Sequence, residues 1–148
     1  MIEKLKNLRA ETGAPLKLIK QALEQAGGDV TKAKDLLLEL GHDAVAGRAG
    51  RQVTSGVVEA VAHMGKIGAV VAVNCETDFV ARNADFKHFV HEIALQIIAA
   101  NPKNVDELLA GPYLRDESKT IADVLAEITA KIGERIVIAR FSRIELGE

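Results

Sequence analysis

Two valine-rich segments, residues 57–63 and 67–75, constrain the fold more than any other part of the chain. Only Met64, Gly65 and Lys66 separate them, and a glycine suits a tight turn between two strands. The two segments therefore predict a β-hairpin. The second segment is apolar at almost every position, which favours a strand that is covered on both faces or lies at the centre of a sheet. We expect further elements to pack against this hairpin.

The residues before the hairpin have a helical periodicity. Across residues 1–41, apolar side chains recur at spacings of three and four, and Gly13, Gly27 and Gly41 interrupt the pattern. This pattern predicts three short helices, the last of which ends at Gly41. Because a bundle of about 40 residues without a disulfide or a metal is marginally stable alone, we expect residues 1–41 to form a docking module beside a larger domain.

Residues 42–55 are rich in alanine, glycine and arginine and have little periodicity, so we expect a linker there, with at most a short helical part at residues 44–51. Residues 56–148 then form the larger domain. Its pattern predicts helices at residues 84–100, 105–110 and 121–132, and a last strand at residues 135–146 with a bulge near Arg140. The predicted class is α+β: a three-helix bundle followed by a small antiparallel sheet packed with helices.

The composition argues against several classes of function. A net charge of −2 gives no basic surface for nucleic acid, and no apolar run reaches the roughly 18 residues of a membrane span. A single cysteine excludes an intrachain disulfide and fits a reducing compartment. Gly65-Lys66 lacks the earlier glycine of a phosphate-binding loop. We therefore expect a cytoplasmic protein that binds no cofactor, no membrane and no nucleic acid directly.

Three side chains have the chemistry to bind a metal or to act as a nucleophile. His88 and His91 are three residues apart on a predicted helix, a spacing that can hold a metal, but no third ligand lies nearby in the sequence. Cys75 ends an apolar strand and is either a nucleophile or a small buried hydrophobic residue. Since the sequence places no general base beside the cysteine, we predict no catalytic residue, and we predict no metal site.

The residues that follow the hairpin are unusual. Asp78 and Phe79 lie side by side where a strand should end and a helix should begin, in a chain that has only four phenylalanines, one tyrosine and no tryptophan. Two interpretations stay open from the residues alone. Either Thr77 and Asp78 are turn or cap residues and Phe79 folds inward, or the turn is an exposed recognition tip.

Residues 74–82, Asn-Cys-Glu-Thr-Asp-Phe-Val-Ala-Arg, resemble the signature of the bacterial elongation factor Ts family. Thr12-Gly13-Ala14, between two predicted helices, is similar to part of the family's N-terminal module, whose fold is like a ubiquitin-associated domain. Residues 131–137, Lys-Ile-Gly-Glu-Arg-Ile-Val, resemble the family's C-terminal strand. The resemblance spans nearly the whole chain in the order found in the family.

The resemblance implies a guanine-nucleotide exchange factor that binds elongation factor Tu in its GDP-bound and nucleotide-free forms and is not itself an enzyme. In the family, the Thr-Asp-Phe-Val turn inserts near the magnesium site of this partner. The residues that the resemblance assigns to magnesium displacement are Thr77, Asp78, Phe79 and Val80, with Ala81 and Arg82 supporting the turn.

The resemblance also implies a second contact and a pairing of chains. The residues that it places near the partner's nucleotide domain are Thr12, Gly13, Leu16 and Lys17. Family members usually have Gly-Met-Met after Thr-Gly-Ala, whereas this chain has Pro15, Leu16 and Lys17. Leu16 can keep the apolar contact of the first methionine, but Lys17 has a charged group where the second methionine would be. Only one copy of the family's core subdomain is visible, which implies a homodimer through the core domain.

Two hypotheses compete with exchange. The first is a protein-interaction module without exchange activity, which binds ubiquitin-like partners through residues 1–41. The second is a cysteine-dependent enzyme built around Cys75. Exchange predicts that Phe79 is essential for nucleotide release, the module hypothesis predicts that residues 1–41 keep the activity alone, and the enzyme hypothesis predicts loss of turnover without Cys75.

Overall fold

The computed structural model describes all 148 residues as seven helices and two antiparallel sheets. The helices are α1 (Ile2–Thr12), α2 (Leu16–Gln25), α3 (Val30–Gly47), α4 (Asp78–Ala81), α5 (Ala84–Ala100), α6 (Val105–Ala110) and α7 (Ile121–Ile132). The strands are β1 (Ser55–His63), β2 (Ile67–Cys75), β3 (Pro112–Tyr113), β4 (Asp116–Thr120) and β5 (Val137–Glu145). Three helices precede the sheet, so the predicted α+β class is confirmed. None of the seven helices combines the length and the apolar character needed to cross a membrane.

The main sheet has the order β1-β2-β5, with both pairings antiparallel. The predicted hairpin is confirmed, since β1 and β2 pair from Ser55 and Cys75 to His63 and Ile67 around the predicted turn. The pairing of β2 with β5 shifts register where Ala139 has no partner on β2, next to the predicted bulge position. Strand β2 thus lies at the centre of the sheet, as its apolar sequence indicates.

Only one face of this sheet is covered. Helix α5 packs on that face and forms the main core with α7 and the inward residues of β2 and β5, among them Val71, Val73, Phe86 and Ile138. Asn83 starts α5 by accepting hydrogen bonds from the next turn, as its sequence position indicates. On the opposite face, Val58 and Ile144 are 69% and 74% exposed.

The N-terminal helices have a small core of their own. Its six buried residues are Leu8, Ile19, Ala22, Leu23, Ala33 and Leu37. Asp29 caps α3 by accepting hydrogen bonds from the backbone N–H groups of Thr31 and Lys32. This cluster is separate from the main core, in agreement with the expected N-terminal bundle.

Helix α3 does not end at Gly41, and this prediction was wrong. The helix continues to Gly47, so that the first residues of the predicted linker are helical. Gly41 is buried, and a Cβ atom at this position would lie 2.9 Å from the carbonyl oxygen of Ala126 in α7. The glycine therefore allows two helices to approach closely and does not act as a helix stop.

Polar contacts hold the extended part of α3 on the core. His42 Nε2 lies 2.7 Å from Asp123 Oδ1, and Arg48 Nε donates a hydrogen bond to the carbonyl oxygen of Gly133. Asp123 and Thr120 form a capping box at the start of α7. Burial of Asp123 opposes its ionisation, but the backbone N–H of Thr120 and the His42 side chain hold the pKa of the carboxyl below its usual range. The N-terminal bundle is thus docked on the core by α3.

Candidate protein-binding site

The residues after β2 form the one-turn helix α4, which presents Phe79 to solvent. Phe79 is 82% exposed, more than any other large hydrophobic residue of the chain. The guanidinium carbon of Arg82 lies 5.9 Å from the centre of the phenyl ring, within the range of a cation–π contact. Of the two interpretations that the sequence left open, the structure therefore shows the exposed tip and not the inward-folded aromatic.

The sequence around α4 explains this orientation. Thr77 is the N-cap, and its Oγ1 accepts a hydrogen bond from the backbone N–H of Val80. Val80 packs against the main core and Ala81 is buried in it, so this side of the helix is anchored. The remaining residues of the turn, Asp78, Phe79 and Arg82, consequently face away from the core.

Asp78 is oriented by the first residue of β1. The Ser55 hydroxyl donates a 2.8 Å hydrogen bond to Asp78 Oδ1. The pairing of Ser55 with Cys75 places this serine at the end of the hairpin from which α4 begins. This contact has no local signal in the sequence, because Ser55 and Asp78 are 23 positions apart.

Glu134, in the loop between α7 and β5, holds the link between β2 and α4. Its Oε1 accepts hydrogen bonds from the backbone N–H groups of Glu76 and Thr77 at 3.1 and 3.0 Å. Its Oε2 accepts a 2.7 Å hydrogen bond from the Thr77 hydroxyl. One carboxylate thus satisfies three donors of a two-residue segment.

Glu76 makes the reciprocal contact. Its Oε2 accepts a hydrogen bond from the backbone N–H of Arg135 at 2.5 Å and lies 3.5 Å from Arg51 Nη1. The guanidinium of Arg135 in turn donates to the carbonyl oxygen of Arg51 at 2.7 Å. Residues 131–137 resemble a family segment, and their pattern predicts the end of a helix at residue 132, a stop at Gly133 and a strand from residue 135, but nothing in the sequence places Glu134 beside the turn after β2.

Cys75 is buried at the end of β2, and its Sγ lies 3.3 Å from the carbonyl oxygen of Thr77. Burial raises the pKa of the Cys75 thiol, and the nearby carboxylates, Glu134 first, raise it further. Because the thiolate is the nucleophile and a raised pKa removes it at neutral pH, the surroundings of Cys75 oppose the cysteine-enzyme hypothesis. The cysteine is a buried hydrophobic residue.

His88 and His91 face different carboxylates. His91 Nδ1 lies 3.0 Å from Glu59 Oε1 on β1, and His88 Nε2 lies 4.0 Å from Glu92 Oε1. Glu92 is itself buried and is bound by Tyr113 and Arg115. No group of three or more histidine, cysteine, aspartate or glutamate side chains is arranged to hold a metal ion.

The predicted N-terminal contact residues lie in the α1–α2 turn and the first turn of α2. Thr12 Oγ1 donates to the carbonyl oxygen of Leu8 and accepts from the N–H of Ala14, while Gly13 ends α1 in the left-handed conformation. Thr12 and Gly13 are half-buried. Leu16 and Lys17, by contrast, are exposed and available to a partner.

Lys131 of α7 connects this turn to the helix that follows α4. Its Nζ lies 3.3 Å from the position of a Cβ atom on Gly13 and 3.2 Å from Asp85 Oδ2 in the first turn of α5. The structure therefore brings the N-terminal turn and the α4–α5 region to one side of α7.

Comparisons with known proteins decide the family. A family model described as elongation factor TS matches residues 76–148. A curated protein of Caldanaerobacter subterraneus subsp. tengcongensis, named elongation factor Ts, is 40% identical over 190 aligned positions that cover 97% of this chain and 95% of that protein. The chain belongs to the elongation factor Ts family. Family membership makes it a translation elongation factor.

Other relatives of this chain differ in length. Elongation factor Ts of Coprothermobacter proteolyticus is 40% identical over 97% of this chain and 96% of its own length. Elongation factor Ts of Clostridium kluyveri is 42% identical over 97% of this chain, which corresponds to only 47% of that protein. The first alignments span 190 positions against 148 residues here, so those relatives have residues for which this chain has no counterpart.

Proposed function

We propose that this chain is a guanine-nucleotide exchange factor for elongation factor Tu and that it binds the GDP-bound and nucleotide-free forms of this partner. The observation that carries the proposal is the position of Phe79, a large aromatic side chain that is 82% exposed on a helix anchored to the core. Aromatic side chains presented in this way are typical anchors of protein interfaces. The proposed activity requires a protein contact and no bond-making chemistry on this chain.

The residues proposed to act on the partner's magnesium and phosphate site are Thr77, Asp78, Phe79 and Val80. Phe79 acts as a wedge. Mg²⁺ requires near-octahedral coordination by oxygen atoms, so a small displacement of its ligands weakens nucleotide binding. One oxygen of Asp78 accepts a hydrogen bond from Ser55. The charged carboxylate of Asp78 repositions partner groups around the ion, but Asp78 does not itself become a stable ligand of the ion. Ala81 anchors the turn, and Arg82 supports the phenyl ring.

A moderate interaction free energy is sufficient for exchange. A nanomolar nucleotide complex is held by about 12 kcal/mol, and about 4 kcal/mol of destabilisation weakens it roughly 1000-fold. Because coupling between two ligands is reciprocal, this chain binds the nucleotide-free partner best and dissociates when GTP and Mg²⁺ bind. We also propose a cytoplasmic location, and the net charge of −2 argues against direct binding of nucleic acid.

The N-terminal bundle, residues 1–41, supplies a second contact to elongation factor Tu. Leu16 and Lys17 are exposed and touch the partner, while Thr12 and Gly13 shape the turn that carries them. Because α3 is packed on α7, the two contact surfaces are held in a fixed arrangement before binding. A fixed arrangement reduces the entropy lost on association, which a flexible tether over residues 42–55 does not.

The release of labelled GDP from elongation factor Tu tests exchange. We expect the wild-type chain to accelerate release and Phe79→Ala to lose about 30-fold or more in the rate at limiting factor, since an interface hot spot contributes about 2 kcal/mol or more and each step of about 1.4 kcal/mol is tenfold. Met64→Ala is the matched control, because Met64 is 80% exposed but lies in the β1–β2 turn, at the opposite end of the hairpin. Binding of elongation factor Tu without faster release would instead support the interaction-module hypothesis, and failure of the wild type at saturation would refute exchange.

A second copy of this chain is the proposed cover for the open face of the sheet. Val58, Val70 and Ile144 expose apolar side chains on this face, one on each of the three strands. Two such faces related by a twofold axis bury each other, and apolar patches of this kind mark interfaces. Sedimentation velocity should show a dimer for the wild type and a monomer for Val70→Glu at the centre of the face. A monomeric wild type at micromolar concentration would rule out the dimer.

A further inference from the structure

We propose that Glu134 is a positioning residue for exchange, whose carboxylate holds α4 in the orientation that projects Phe79 into the partner. This role rests on the proposed exchange function. Glu134 lies outside the Thr-Asp-Phe-Val turn and 57 residues from Thr77, and it acts through that turn without contacting the partner's nucleotide site.

The hydrogen bonds of Glu134 converge on the only covalent link between β2 and α4. Glu76 and Thr77 join the central strand to the helix, and Glu134 accepts the backbone N–H of each of them together with the Thr77 hydroxyl. Hydrogen bonds to an ionised acceptor are stronger than those between neutral groups. Without this carboxylate the three donors lose their acceptor and the link is free to change its backbone angles.

Glu134 is itself fixed from both sides. Gly133 ends α7 in the left-handed conformation, and its carbonyl oxygen accepts a hydrogen bond from Arg48. On the other side, the N–H of Arg135 donates to Glu76, and β5 begins two residues later. Each of the two loops thus binds the backbone of the other through a glutamate, which makes a reciprocal pair and not a single surface contact.

The use of the Thr77 side chain supports this assignment. Its hydroxyl donates to Glu134 and accepts from the N–H of Val80, so the group is committed to contacts within the chain. Thr77 therefore transmits the position of Glu134 to α4, while Phe79 has no such contact and stays free for the partner. If α4 is correctly placed in only a fraction of the molecules, the apparent affinity for elongation factor Tu equals the intrinsic affinity multiplied by that fraction. The rate of GDP release at a saturating concentration of this chain is unchanged.

The concentration dependence of labelled-GDP release separates positioning from contact. We expect Glu134→Ala to raise the concentration of this chain that gives half-maximal release by about 10-fold, with the saturated rate within about 2-fold of wild type. Glu134→Gln should lie between Glu134→Ala and wild type, because its amide oxygen still accepts both backbone N–H groups but its NH2 group cannot accept the Thr77 hydroxyl. Glu39→Ala, which removes an exposed carboxylate without a hydrogen bond or ion pair in the structure, is the matched control.

Amide hydrogen exchange measured by NMR on the free chain provides a readout without the partner. Glu134→Ala should lose protection at the amides of Glu76 and Thr77, while Val71 and Val73 in the centre of the sheet stay protected. If Glu134→Ala does not fold, Glu134→Asp replaces it, since the shortened carboxylate cannot reach all three donors and an intermediate shift is expected.

Two results would overturn the positioning role. One is a wild-type concentration dependence in a Glu134→Ala chain whose Glu76 and Thr77 amides have lost protection. The other is a fall in the saturated rate with an unchanged half-maximal concentration, which identifies a direct contact with the partner. A wild-type chain that does not accelerate release refutes the exchange function instead, and the amide measurements then still decide whether Glu134 holds α4.

Discussion

Adjacent residues of the turn after β2 have different tasks. The polar groups of Thr77 are bound inside the chain, by Glu134 and by the backbone of Val80. The side chain of Phe79 is exposed to solvent, with the Arg82 guanidinium beside its ring. A motif that is continuous in sequence is therefore divided in space: its first residues fix the backbone, and the aromatic that follows is available for a partner. Residue-by-residue substitution in this motif tests two physical roles and not one.

The acidic groups around this turn also determine the chemistry of Cys75. Glu76, Asp78 and Glu134 surround the end of β2, and together with burial they raise the pKa of the thiol. Burial and these carboxylates thus disfavour the thiolate form of the only cysteine. Cys75, near the start of the motif, therefore has a structural role: it is buried and contacts the carbonyl oxygen of Thr77.

At the level of secondary-structure elements, cap, stop and turn residues that act on their near neighbours were sufficient to predict several elements. Asn83 and Thr120 accept hydrogen bonds from the first turns of α5 and α7, and Gly133 ends α7 with a left-handed conformation. These contacts depend on three or four neighbouring residues, so the sequence predicts α5 and α7 correctly. The β1–β2 hairpin follows for the same reason, because valine-rich segments around a short turn need no distant partner.

The elements that were missed depend on distant residues. Gly41 has the same local signal whether it ends a helix or admits a neighbouring one, and only Ala126 of α7 decides between them. The short hairpin β3–β4 contains mostly polar, exposed residues without an alternating pattern. Glu134 is a common surface residue type, and its role appears only when the fold brings it to Thr77. The candidate turn was predictable, but its supporting contacts were not.

The close approach of α3 and α7 makes a quantitative prediction. We expect Gly41→Ala to be about 1–3 kcal/mol less stable than Gly47→Ala, because the new methyl group at position 41 would overlap the backbone of Ala126 and overpacking costs this much. Gly47 lies in the same helix with nothing within 4 Å of an added Cβ, so both variants gain helix propensity but only one is crowded. Urea unfolding followed by far-UV circular dichroism, at one protein concentration, measures the difference. Equal stabilities would show that α3 is not packed on α7 in solution.

At the level of the whole molecule, α3 belongs to both halves of the chain. Its first turns contribute Ala33 and Leu37 to the N-terminal core, and its last turns contact α7 through Gly41 and His42. A helix shared in this way couples the bundle to the sheet domain, since neither can rotate without breaking the packing of the other. The two proposed partner contacts are thus held at a fixed distance, a property that neither half has alone.

Coupled halves should unfold together, and the aromatic content of the chain allows a direct measurement. Tyr113 is the only tyrosine, there is no tryptophan, and Tyr113 packs against the main core with its hydroxyl bonded to Glu92. Tyrosine fluorescence therefore reports on the sheet domain alone, whereas far-UV circular dichroism also reports on α1–α3. We expect both signals to give one coincident thermal transition, as single domains of this size do.

The Gly41→Ala variant should keep the two transitions coincident at a lower midpoint temperature if the helices absorb the overlap, or separate the two transitions if α3 detaches from α7. Loss of helical signal before the tyrosine signal in the wild type would show that the N-terminal bundle folds and moves independently of the core.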